Sequence, residues 1–73
     1  MTYEIWDTDS RNVLAHSEAL EDVVTFLRRQ LEELGDHWID GITVLDVSAD
    51  GRTRTVVAED RAILDLLRVP ATR

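Results

Sequence analysis

Three groups of residues in this chain have side chains suited to chemistry. Asp36, His37 and Asp40 sit in the segment DHWID, an imidazole flanked by carboxylates, with Trp38 beside it. Such a histidine can serve as a base or a metal ligand, because it titrates near neutrality and offers a ring nitrogen. The spacing fits no metal-ligand signature, and nothing in the chain order brings His16, the other imidazole, to His37. The plainer expectation is a polar connection whose Trp38 and Ile39 tuck against a sheet or the first helix, since Asp and Gly are ordinary loop residues. Asp36, His37, Trp38 and Asp40 are kept as a possible ligand loop, with no metal and no cofactor assigned.

Asp7 and Asp46 form the second group. They fall at matching places before two turn segments, TDSRN and ADG. Matched carboxylates resemble an acid–base pair, but an Asp that opens a turn more commonly accepts backbone N–H bonds within it. The turn role is expected for both. Ser10 and Ser48, the third group, are turn serines with no base nearby, so no nucleophilic triad is indicated. Three glycines build no phosphate loop. No catalytic residue is assigned, and the expectation leans away from an enzyme.

The elements that hold these residues follow from periodicity. Apolar positions alternate over 2–7 and 13–16, as in two strands joined by a turn. Ser17 is suited to cap a helix running to Leu34, its hydroxyl accepting an early unpaired N–H. Leu20, Val23, Val24, Leu27, Leu31 and Leu34 recur at spacings of three and four, a single helical stripe. Arg28 and Arg29 then face outward and can pair with Glu32 and Glu33. Gly35 stands where a helix end favours a left-handed residue. Strands are predicted again over 42–48 and 53–57, and a short helix over 59–68, stopped by Pro70.

The order is ββα twice, with the halves matching at an offset of 39 residues. Tyr3 matches Ile42, Ile5 matches Val44, Trp6 matches Leu45, Asp7 matches Asp46, and Val24 and Leu27 match Ile63 and Leu66. Asn12 matches Gly51, two residue types that enter the left-handed region at low cost, so two hairpins of the same kind are expected. The predicted architecture is α+β, a two-layer ββαββα sandwich with a four-stranded antiparallel sheet and two helices on one face. It is one domain, with repeats over 3–34 and 42–69 and a tail over 70–73. The expected core is Tyr3, Ile5, Val13, Leu20, Val24, Leu27, Leu31, Ile42, Val44, Ile63, Leu66 and Leu67.

If Ile5 and Val44 face the helices, Glu4, Trp6, Leu14, His16, Thr43, Leu45 and Val47 face away. A solvated sheet face normally alternates to polar residues. This one carries Trp6, Leu14, Leu45 and Val47, and these four are the expected interface. A second copy of the chain, packing sheet on sheet or pairing edge strands, would cover them.

Bulk properties agree with a small interacting domain. A chain of 73 residues buries only about 60% of its unfolded surface and is marginally stable alone. Cysteine is absent, which removes disulfides and thiolate metal sites as supports and leaves packing and oligomerisation. Fifteen acidic residues against eight basic ones, all Arg, give a net charge of −7. That balance opposes binding to nucleic-acid phosphates and suits a basic protein partner. No apolar run is long enough to span a membrane. The acidic start MTYEIWDTD does not read as a signal peptide, so a cytoplasmic location is expected.

The stretch YEIWDTDSRNVLAHSEALEDVVTFL resembles the opening of a group of small bacterial proteins of unassigned activity. They begin with a strand ending in Trp-Asp, then a turn with Ser or Thr and Asn, a short strand, and a helix near Glu-x-Ala-Leu. The matching residues are Tyr3, Trp6, Asp7, Ser10, Asn12, Leu14, Ala19 and Leu20, over roughly the first 30 residues. The resemblance implies no activity and transfers no site residue. The hairpin-then-helix order is similar in topology to partner-binding folds of some small antitoxins, and topology alone assigns no function. The functional expectation is therefore a small non-catalytic interaction module, homodimeric through the second sheet face. The alternatives are an acidic antitoxin-like or inhibitory partner of a basic protein, and a small enzyme or ligand-binding protein with its site at a dimer junction near His37.

Overall fold

A computed structural model describes residues 2–68. The elements are β1 (Thr2–Asp7), β2 (Asn12–Ser17), α1 (Leu20–Leu34), a single 3-10 turn (Asp36–Ile39), β3 (Ile42–Val47), β4 (Arg54–Glu59) and α2 (Ala62–Arg68). The strands form one antiparallel sheet in the order β2-β1-β3-β4. The fold is the expected α+β ββαββα sandwich. The expected stop at Pro70 and the tail over 70–73 lie outside the described residues.

The repeat becomes a physical symmetry at the centre of the sheet. β1 pairs with β3 so that Ile5 faces Val44 directly, the two residues related by the offset of 39. A pseudo-twofold axis therefore passes between them. Each hairpin carries a register shift at the equivalent place, between Ile5 and Trp6 in the first and between Val44 and Leu45 in the second. The residues left unpaired by these bulges are Leu14 and Val57.

The bulges move the edge strands relative to a regular alternation. Side chains alternate with period two along a strand, so one extra residue reverses the phase beyond it. Ala15 pairs with Ile5 and lies on the helical side, whereas Val13 pairs with Trp6 and lies on the other. Val13, expected in the core, is 43% exposed. In β4 the same device brings Ala58 into the core opposite Val44.

The core cluster is Ile5, Val23, Leu27, Ile39, Ile42, Val44, Ala58 and Ile63. Tyr3, Leu31, Leu66 and Leu67 pack against it as expected. Leu20 is exposed and Val24 half-buried, because the stripe of α1 centres on Val23 and Leu27. The helical part of the repeat does not hold by burial either. Val24 is half-buried where Ile63 is fully buried, and Leu27 is fully buried where Leu66 is not.

Several side-chain and turn roles differ from expectation. Helix α1 begins at Leu20, not near Ser17, and its N-cap Ala19 has no side-chain cap. The Ser17 hydroxyl instead accepts from the Ala19 N–H at 3.1 Å and donates to Asp22 at 2.9 Å. Arg28 does not pair with Glu32; its Nη2 donates to the Leu67 carbonyl at 2.7 Å and so ties α1 to the last turn of α2. Among the described residues the ion pairs are Glu4–Arg54 and Asp65–Arg68, so the expected Arg29–Glu33 pair is not formed. The left-handed residue of the first hairpin is Arg11, at φ 61, and Asn12 is already in β2 opposite Asp7. The hairpins are not of one kind, because the second continues through a Val47–Arg54 pair and has a longer loop.

Gly51, at φ 74 in that longer loop, is the left-handed residue expected there. No atom lies within 4 Å of where its Cβ would stand. The cost of a side chain is then the backbone term alone, about 1–2 kcal/mol and more for a β-branched residue. Gly51→Val is expected to lower the melting temperature by about 4–8 °C per kcal/mol lost, and Arg52→Ala to leave it within error. Equal melting temperatures for the two variants would remove the turn assignment.

Candidate functional site: the second face of the sheet

β1 and β3, both central, position the residues that point away from the helices. The register places Thr2, Glu4 and Trp6 of β1 beside Val47, Leu45 and Thr43 of β3. Outside them, Val13 stands opposite Trp6 and His16 opposite Glu4 on β2. On β4, Val56 stands opposite Leu45, Arg54 opposite Val47 and Glu59 opposite Thr43. Read across the strands, Val13–Trp6 and Leu45–Val56 form two apolar pairs related by the pseudo-twofold axis. The bulge residues Leu14 and Val57 flank them and are themselves exposed.

Trp6 is held by its neighbours. Its indole Nε1 donates to Glu4 Oε1 at 3.0 Å, and Arg54 Nε stands 3.5 Å from the same oxygen. Arg54 reaches this carboxylate from β4, across β3. The indole is thus tied to Glu4, and that carboxylate, in the middle of the face, is in turn matched by a guanidinium.

Of the four residues expected at the interface, Trp6 and Leu45 are half-buried and Leu14 is exposed. Val47 lies on the same face by register but is 6% exposed within a single chain, so it offers little to a partner. Val13, Val56 and Val57 were missed. The repeat itself carried the signal: Asn12-Val13-Leu14-Ala15 and Thr55-Val56-Val57-Ala58 match at an offset of 43, each with an apolar pair before an alanine. A bulge in each strand is what such a pair allows.

The loop residues do other work. Ile39 enters the core at 0% exposure, and Trp38 meets Phe26 edge to face, with ring centroids 6.4 Å apart at 63°. This is the packing role expected of the pair. Asp36, His37 and Asp40 are exposed around the 3-10 turn, and His16 stands on the second face of the sheet. Among the described residues no group of three His, Cys, Asp or Glu is placed to hold a metal ion.

Asp7 has the expected turn role, its Oδ1 accepting from the N–H groups of Asp9 at 3.0 Å and Ser10 at 3.5 Å. Asp46 does not. It pairs within the sheet opposite Tyr3 and Thr55, because the second hairpin runs on past it. Asp50 takes that role, accepting from the Ser48 hydroxyl at 2.5 Å and the Arg52 N–H at 3.0 Å. Those bonds, the Ser48 one foremost, hold its carboxyl below the usual carboxylate range.

The chain matches no protein-family model, and comparison with curated proteins and with solved structures finds no match. No helix among the described residues is long and apolar enough to cross a membrane.

Proposed function

We propose that this chain is a small non-catalytic interaction module that works as a homodimer through the second face of its sheet. The observation that carries the reading is the placement of charge relative to apolar surface. Of 15 acidic residues, only Glu4 and Glu59 stand on that face by register, with Arg54 as the basic one. The other thirteen lie on the helices, the turns or the helical side of the sheet. A net charge of −7 ordinarily keeps copies of a protein apart. Here the charged outer surface of α1 is a helix diameter, about 10 Å, behind the sheet, which is about one Debye length at 0.1 M salt. Two copies meeting by their sheets bring apolar surface together while most of their charge stays remote and screened.

The test is solution mass by light scattering over a hundredfold range of concentration. The expected result is twice the chain mass of 8.3 kDa, falling toward that mass on dilution. A mass fixed at 8.3 kDa throughout would overturn the homodimer. It would leave the face for a different protein, while a basic partner would instead meet the exposed acids Glu21, Asp22, Glu32 and Glu33 of α1, away from that face.

A further inference from the structure

We propose that the Asp50–Gly51 bond is a modification site of the folded chain, where aspartate converts to isoaspartate, and that the Ser48 hydroxyl sets the rate. The sequence contains two Asp–Gly bonds, at 40–41 and 50–51. Glycine after aspartate favours this isomerisation, because no side chain hinders its nitrogen or restricts its backbone. The glycine nitrogen loses its proton and attacks Cγ of the preceding aspartic acid. A C–N bond forms, the carboxyl C–O bond breaks, and one water leaves. The five-membered imide then takes water back at either of its carbonyls. Opening at Cγ restores aspartate. Opening at the backbone carbonyl leaves the chain running through Cβ, with the mass unchanged. No oxidant, reductant or cofactor enters the balance.

The fold treats the two bonds differently. Ring closure turns the Asp–Gly peptide and gives up the hydrogen bond of the glycine N–H. At Gly41 that N–H donates to Asp60 Oδ1 at 2.8 Å, and the Gly41 carbonyl accepts from the Thr8 N–H and hydroxyl. Asp9 Oδ2 stands 3.0 Å from where a Gly41 Cβ would be. Turning this peptide pulls against bonds to two distant segments. At Gly51 the N–H donates to the Ser48 carbonyl at 2.9 Å, within the same turn, and no atom lies within 4 Å of the Cβ position. Residues 49–53 are exposed, so this turn opens without disturbing the sheet. The restraint there is Ser48. Its hydroxyl accepts from the Thr53 N–H at 3.1 Å and donates to Asp50 Oδ1 at 2.5 Å, an oxygen that also accepts from the Arg52 N–H at 3.0 Å. These bonds, the Ser48 one foremost, favour the ionised carboxyl, whereas ring closure consumes the neutral acid. Ser48 thus slows a reaction that the turn otherwise leaves open.

The experiment ages the full chain at neutral pH, folded and in concentrated urea, and measures isoaspartate at each bond by peptide mass spectrometry with electron-transfer fragmentation. In urea both bonds are expected to convert. In the folded parent, conversion is expected at Asp50 and not at Asp40. Ser48→Ala, checked by circular dichroism, is expected to raise the rate at Asp50 at least about threefold, the effect of losing one hydrogen bond to a charged group. Asp40 should stay unconverted in that variant, which shows the junction at Gly41 intact. Ser48→Thr keeps the hydroxyl and is expected to convert as the parent does. Conversion at Asp40 as fast as at Asp50 in the folded parent, or none at Asp50 while the chain in urea converts there, would overturn the site. A Ser48→Ala protein that converts at the parent's rate, or one in which Asp40 and Asp50 rise together, would overturn the role of Ser48.

Discussion

Trp6→Glu is expected to dissociate the homodimer while leaving a folded monomer. Trp6 is half-buried and outside the core cluster, so its loss opens no cavity under the helices. The new carboxylate would stand two residues from Glu4 on the same face and remove the indole N–H that Glu4 accepts. In the dimer it would be desolvated against apolar surface, and twofold symmetry places it there twice. Loss of a central tryptophan from an interface costs on the order of 2–4 kcal/mol, roughly 30- to 1,000-fold in dissociation constant. Light scattering and circular dichroism on parent and variant measure the two halves of this expectation. A folded Trp6→Glu protein that associates as tightly as the parent would move the interface off this face.

The architecture was legible in the sequence because the central strands obey the simplest rule. β1 and β3 pair with each other without a bulge, so successive side chains keep to opposite faces, and the expected bounds of β1 coincide with those observed. Trp6 and Leu45 were placed on the second face for that reason. The outer strands were misread because regular alternation was carried through a bulge. Regular alternation places Val13 on the core side of its strand, and one extra residue sends it to the other face. The same assumption ended β4 at Val57 and hid Ala58.

Cross-chain contacts were a different kind of loss. Arg28 was given the helix neighbour that periodicity offers, but its partner is a carbonyl 39 residues on. Gly41 directly follows the DHWID segment. Its carbonyl accepts from the Thr8 N–H at 2.8 Å and from the Thr8 hydroxyl at 2.7 Å, and its N–H donates to Asp60 at 2.8 Å. It joins the first turn, the start of β3 and the approach to α2. No local pattern in the chain announces such a junction, because every partner is distant in sequence.

Ile39→Ala is expected to be the most damaging of the small substitutions, and to act on stability alone. Ile39 leaves the 3-10 turn and enters the core at 0% exposure, among Ile5, Val23, Leu27 and Ile63. Truncating a buried isoleucine to alanine costs about 2–5 kcal/mol, the transfer term plus the cavity left behind. A domain of this length has roughly 4–11 kcal/mol in total, so the loss is a large share of it. The melting temperature should fall by at least about 10 °C. Asp40→Asn, at the exposed next position, should change it by no more than a degree or two. The contrast separates the two roles that DHWID offers. A packing turn depends on Ile39 and Trp38 and tolerates neutral replacements of its acids. A ligand loop would show the reverse, little cost at Ile39 and a loss of binding at Asp36, His37 or Asp40. Melting should be followed below the dimer dissociation constant, since association itself raises apparent stability. Measured so, Ile39→Ala lowers the melting temperature and leaves the association of the folded fraction as in the parent, whereas Trp6→Glu weakens association in a chain that still folds. A protein in which both variants weakened association in step with stability would have its interface formed by the core itself, not by a separate face of the sheet.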